Sequence, residues 1–134
     1  MNNRKFQFGE ITTALVCDYA CQDTSGKFIL AGVYSGNIAV REYPAKLILS
    51  AYIELSPNAE AMFPISAEII VGERVLVAGT MKPVGEIPLG PMAFLIPQFE
   101  CHVSDGQGIS IWITDHDGHK AAVYSREIML LQAR

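Results

Sequence analysis

Residues 94–124 constrain the fold more than any other stretch, because polar and apolar side chains alternate through consecutive segments there. In the first segment Phe99, Cys101 and Val103 alternate with Gln98, Glu100 and His102. In the second, Ile109, Ile111 and Ile113 alternate with Ser110, Trp112 and Thr114. A period of two marks a strand with one face on a core and the other toward water. Asp117-Gly118 reads as a two-residue type I′ turn. That turn would pair Thr114 with Ala121, Ile113 with Ala122, Trp112 with Val123 and Ile111 with Tyr124. With residues 104–108 as the other turn, Val103 meets Ile109, Cys101 meets Ile111 and Phe99 meets Ile113. Both registers gather the isoleucines on one face, and a slip of one residue would turn them to the other. The expectation is a three-stranded antiparallel meander.

The rest of the chain agrees with an all-β reading. Residues 11–19 and 27–35 are apolar on both sides and flank the polar turn 22–26, so they form a hairpin whose strands are covered on both faces. Gly32 inside the second strand signals a bulge or a close backbone approach. Residues 38–40 make a short strand. In residues 46–56, Leu47, Leu49, Ala51, Ile53 and Leu55 oppose Ser50, Tyr52 and Glu54; β-branched and aromatic content favours a strand over an amphipathic helix. Residues 65–71 and 74–81 form a hairpin around Gly72-Glu73. Residues 82–91 hold three prolines and two glycines and must loop across the sheet. The expected architecture is one domain over residues 1–134, an antiparallel β-sandwich of seven to eight strands, immunoglobulin-like or C2-like. A closed barrel is the rival.

Charge narrows the function classes. Only 18% of residues are charged, against about 25% in typical soluble domains, so part of the surface is apolar and suited to a partner. The net charge is −4, and the ten basic residues are scattered apart from Arg4-Lys5. No stripe follows a phosphate backbone, so nucleic acid is not an expected partner. No run reaches the roughly 20 apolar residues of a membrane span. Glu10 and Asp18 interrupt what would be the apolar core of a signal peptide. The three cysteines lack the spacing of a disulfide framework. Cytoplasmic location is the expectation.

Candidate chemistry is sparse. His116 and His119 flank Asp117-Gly118 with Asp115 and Asp117 beside them, two histidines that begin a metal site. His102 would lie roughly 20 Å away along the strand and cannot complete it. A solvated polar turn is the expected reading, because turns favour these residue types. Asp115-His116-Asp117-Gly118 also echoes the start of a calcium loop but lacks its third acidic position and distal glutamate. Cys101 shares the apolar face of Phe99 and Val103 and reads as a core residue. Cys17 and Cys21 would stand about 13 Å apart on a straight strand. Nucleophile, zinc-protease and phosphate-loop motifs are missing from the sequence. No catalytic residue and no cofactor are therefore assigned, and an enzyme is not expected.

Trp112 is the residue that stands out for binding. It would sit on the outer face beside Val123 and Glu100 among short polar neighbours, where a tryptophan serves as an interface anchor. Alternatively the N-terminal segment or the proline-rich loop covers it. Around that loop, Met81, Ile87 and Leu89 form a second apolar candidate, either an adhesive surface or a cap on the open end of the sandwich.

The stretch from Ala14 to Leu55 has Asp18 ending a strand, Gly26-Lys27, the apolar run with Gly32-Val33-Tyr34, and Tyr43-Pro44. Together with Ile109-Ser110-Ile111-Trp112-Ile113 before an Asp-Gly turn, it resembles a family of short bacterial and phage-borne proteins known only as a domain of unknown function. The resemblance implies a β-sandwich, supplies no catalytic residues, and weighs against an enzyme. The function expected is a non-enzymatic protein-interaction or structural module, binding a protein partner or itself. The alternative is a small-molecule or metal-ion binding domain using the loops near His116, His119 and residues 82–91.

Overall fold

Alternating side chains build ten strands in the computed structural model, which describes residues 4–83 and 90–131. They are β1 (Lys5–Phe6), β2 (Gly9–Gln22), β3 (Phe28–Val33), β4 (Ile38–Val40), β5 (Ala45–Pro57), β6 (Ile65–Val71), β7 (Arg74–Met81), β8 (Met92–Val103), β9 (Gly108–Thr114) and β10 (Lys120–Leu130). One sheet runs β1-β2-β5-β8 with β3 also on β2; the other runs β4-β10-β9-β6-β7. The pairings are antiparallel except that of β4 with β10. The chain is thus a β-sandwich, not a closed barrel, and it has ten strands where seven to eight were expected. β1 is two residues long, too short to leave a periodic signal.

The core lies between the sheets. Val16, Ala51, Ile53, Leu55, Cys101 and Val103 come from the first sheet, and Ile65, Ile69, Val71, Ile109, Ile111 and Ile113 from the second; all are buried. Burying one such isoleucine or leucine is worth about 1.5–3 kcal/mol. β6 shows the cause most plainly: Ile65, Ala67, Ile69 and Val71 are buried and the residues between them are half-buried.

The three-stranded meander does not form. β8 pairs with β5, placing Ala45 opposite Val103, Leu47 opposite Cys101 and Leu49 opposite Phe99. β9 pairs with β6 and β10. Residues 104–107 are therefore an arch between the sheets, closed by Gln107 N–H donating to the Ser104 carbonyl at 3.3 Å. A hairpin and an arch both aim Cys101, Val103, Ile109 and Ile111 at the core, so alternation cannot tell them apart.

The β9–β10 pairing matches its expected register only away from the turn. Tyr124 faces Ile111, but nearer the turn Ala122 faces Trp112, Ala121 faces Ile113 and Lys120 faces Thr114, with a bulge between Ala122 and Tyr124. Val123 is the extra residue of that bulge and is buried, not beside Trp112 on the outer face. The turn itself spans residues 115–119. Gly118 N–H donates to the Asp115 carbonyl at 3.1 Å, Asp115 N–H donates to the His119 carbonyl at 2.9 Å, and Gly118 has φ +88°.

The same turn appears at residues 23–27, between β2 and β3. Gly26 N–H donates to the Asp23 carbonyl at 3.1 Å, Asp23 N–H donates to the Lys27 carbonyl at 2.8 Å, and Gly26 has φ +90°. In each turn one carboxylate oxygen of the leading aspartate accepts two more backbone N–H groups. Asp23 takes those of Ser25 and Lys27, both at 2.9 Å; Asp115 takes those of Asp117 at 3.0 Å and His119 at 2.9 Å. An Asp-x-x-Gly-x sequence dictates this geometry, since aspartate bonds forward to its own backbone and glycine admits the left-handed residue.

Gln7 fastens the N-terminal segment across one end of the sandwich. Its N–H donates to Asp115 Oδ2 at 3.1 Å, its carbonyl accepts from Asn58 Nδ2 at 2.9 Å, its Nε2 donates to the Glu60 carbonyl at 2.7 Å, and its Oε1 accepts from Met62 N–H at 3.0 Å. Phe6 and Phe8 on either side are buried and stacked at 5.2 Å.

Candidate interaction surface

β2 leaves β5 after the Cys17–Ser50 pair and continues to Gln22 paired with β3. This end of the sheet is a two-stranded hairpin that bends back toward β5, since Phe28 near its tip pairs with Gln22 yet reaches Tyr52, which pairs with Leu15. Its strands are not covered on both faces, as their apolar composition implied: Tyr19, Ile29 and Val33 are 49%, 50% and 46% exposed. Tyr19 pairs with Ala31 and Cys21 with Ile29, so these four share one face. The opposite face carries Phe28, whose ring meets Tyr52 of β5 edge-on at 5.4 Å. That contact turns the Tyr19–Ile29 face away from the body of the sheet.

Gly32 carries the close approach that its place in the strand implied. Its φ is +68°, and a Cβ there would fall on the Asp18 carboxylate. Asp18 Oδ1 in turn accepts the Tyr34 hydroxyl at 2.8 Å. Burial and the bond to Asp18 push the Tyr34 phenol up to about 12, so it stays protonated and keeps donating. Among the described residues, β3 pairs only with β2, and Phe28–Val33 contains no charged residue. Edge strands normally carry a charge or a proline to prevent pairing with another chain.

Trp112 stands on the outer face of β9, between Glu68 of β6 and Ala122 of β10. It is half-buried; its Nε1 donates to Ser110 Oγ at 2.9 Å, and Lys120 Nζ sits 5.7 Å from the ring centre. Lys120 also pairs with Glu68 at 2.7 Å. The indole is thus roofed by its own sheet face and offers less open surface than the β2–β3 hairpin. Met81 is buried opposite Ile65. With Val77, Phe94 and Ile96 it lines an apolar cavity of about 250 Å³ between β7 and β8. Ile87 and Leu89 lie outside the described residues.

The turn residues are brought together as a structural joint. Both Asp115 oxygens are occupied by backbone N–H groups. His119 meets Phe6 with ring centres 5.3 Å apart, and His116, Asp117 and His119 are all exposed. Among the described residues, no group of three or more His, Cys, Asp or Glu side chains converges with the geometry of a metal site. His102 stands on β8 near Glu100 and opposite Lys46 of β5, Glu100 lying 3.2 Å from Lys46 and 3.5 Å from His102.

All three cysteines are free. Burial pushes the Cys101 thiol up to about 11 and raises that of Cys17, so both hold their protons. Comparison of the chain with protein families, with curated proteins and with solved structures finds no match. No helix among the described residues is long and apolar enough to cross a membrane.

Sequence reasoning missed Tyr19, Ile29 and Val33 as surface residues and Gln7 as a fastening point. For the first three no local signal exists, because apolar runs such as Phe28 to Val33 read as covered strands. Gln7 leaves no pattern, because its four bonds reach residues 51 to 108 positions away.

Proposed function

We propose that the chain is a non-enzymatic binding module that takes a protein partner, a second copy included, on its β2–β3 hairpin. The observation that carries this reading is the set of half-exposed Tyr19, Ile29 and Val33 on a hairpin whose outer strand has an unpaired, uncharged edge among the described residues. Such an edge offers main-chain hydrogen bonds to an extended segment, and the apolar side chains beside it add contact area. The protonated thiols of Cys17 and Cys101 favour binding over nucleophilic chemistry.

Cross-linked recovery from cells tests the reading, comparing tagged wild type with Tyr19→Ser/Val33→Ser and with Trp112→Ala. Proteins recovered with the wild type should be lost with the double variant and kept with Trp112→Ala. Equal recovery by the wild type and a folded double variant would overturn it, and loss with Trp112→Ala alone would move the binding face to β9.

A further inference from the structure

The outer edge of β3 has no partner among the described residues, and its register fixes which backbone groups point out of it. In an antiparallel ladder, residues that direct N–H and C=O to the partner alternate with residues that direct them away. Asp23 N–H bonds the Lys27 carbonyl, so residues 23 and 27 face each other inward. In the same register Cys21 with Ile29 and Tyr19 with Ala31 also face inward. Phe28 and Leu30 therefore direct their N–H and C=O groups out of the outer edge. Gly32, in the left-handed region, bends the strand and ends this straight edge at Ala31.

We infer that the partner of this edge is a second copy of the chain, added antiparallel about a two-fold axis through Ile29. The inference rests on the hairpin being the binding site. In this arrangement Phe28 of each copy exchanges both main-chain bonds with Leu30 of the other, using all four outward groups. Ile29 meets its own counterpart as a non-hydrogen-bonded pair. Lys27 falls opposite Ala31, so no charge meets its like along the edge. The two-fold closes the assembly at two subunits, because pairing consumes the same edge on both. Of the half-exposed apolar residues, only Ile29 lies on the axis; Tyr19 stands one strand in from the paired edge and Val33 lies past the bend at Gly32, so main-chain bonds dominate the contact. So small a contact belongs with reversible complexes, well below obligate dimers.

Sedimentation velocity of the purified full chain over a wide dilution series tests the inference, with circular dichroism confirming that each variant is folded. The wild type should show a concentration-dependent monomer–dimer equilibrium. Leu30→Pro deletes an outward N–H without breaking an inward bond and should weaken the dimer about tenfold. Ile29→Glu brings two carboxylates together on the axis and should abolish dimerisation, whereas Trp112→Ala should leave it intact. In a Cys21→Ser background, Ile29→Cys should form an intermolecular disulfide on oxidation, since non-hydrogen-bonded pairs bring Cα atoms to about 4.5 Å; should Leu30→Pro fail to fold, this variant and Ile29→Glu decide. A chain that stays monomeric throughout overturns self-pairing, while proteins still recovered through Tyr19 and Val33 would leave the binding reading standing. A dimer that survives Ile29→Glu, and whose Ile29→Cys variant forms no intermolecular disulfide, also overturns it, placing the contact elsewhere.

Discussion

Replacing Asp115 should cost this fold far more than replacing Asp23, although the two turns are built alike. Both aspartates accept two N–H groups within their turn, but only Asp115 also holds Gln7 N–H, 108 positions away in sequence. Asp115 is buried, with 7% exposure. A hydrogen bond to a charged group contributes about 1.5–3 kcal/mol, and water can replace part of the two turn bonds, so Asp115→Ala should lose about 2–4 kcal/mol. For a domain of this length that is a fall in Tm of about 6–12 °C. Asp115→Asn separates the two roles. Its carbonyl oxygen still serves Asp117 and His119, while its amide nitrogen points a donor at the Gln7 donor, so the turn survives and the N-terminal tie breaks. The assay is the denaturant midpoint of the three variants with Asp23→Ala as control, together with hydrogen exchange at the Gln7 amide. Faster exchange at Gln7 in Asp115→Asn, with the turn amides still protected, is the expected result. If Asp115→Ala loses no more stability than Asp23→Ala, the long-range bond to Gln7 contributes nothing and the reasoning is refuted.

Three further outcomes follow from burial and titration. Burial first, and then hydrogen bonds to Asp18 and Glu54, push Tyr34 and Tyr52 up to about 12. The native state thus holds these protons more tightly than the unfolded chain, and the stability they confer is complete below about pH 10 and lost as pH rises toward 12; the Tyr34→Phe/Tyr52→Phe variant should flatten this alkaline decline in denaturant titrations. Ile111 is fully buried between Ile69 and Tyr124, so Ile111→Ala should cost about 3–4 kcal/mol by chemical denaturation. Iodoacetamide at mildly alkaline pH should label Cys21 in the native protein, with Cys17 and Cys101 reacting only after unfolding, as read by peptide mass.

Period-two patterning located β5, β6, β8 and β9, because each has a face that the core requires to be apolar, and apolar runs between turn signals located β2 and β3. It could not choose strand partners. Cys101 and Ile111 face the same interior whether their strands are neighbours in one sheet or lie in opposite ones, so β8 and β9 read as a hairpin when they are joined by an arch. The bulge at Val123 was equally invisible, since one extra residue in a strand changes side-chain direction without changing composition. Among site residues, Trp112 was placed on the correct face from alternation alone. What the sequence did not show was Lys120 arriving over its ring, a contact set by cross-strand register. Tyr19 and Ile29 were read as covered because their strands are apolar on both sides. Whether a covering layer exists depends on β5 parting from β2 at Ser50, and no local signal records that departure.

The parallel pairing of β4 with β10 has a consequence for how the chain reaches its native state. Ile38, Ala39 and Val40 line up with Ile128, Met129 and Leu130, and Leu131 N–H bonds the Val40 carbonyl. During synthesis, β4 emerges from the ribosome long before β10, its one sheet neighbour among the described residues. β9 can pair with β6 as soon as it is made, but its other edge waits for β10. The second sheet therefore closes only when residue 131 is free of the exit tunnel, and until then its apolar strands depend on holding factors or on speed of translation to avoid pairing with other chains.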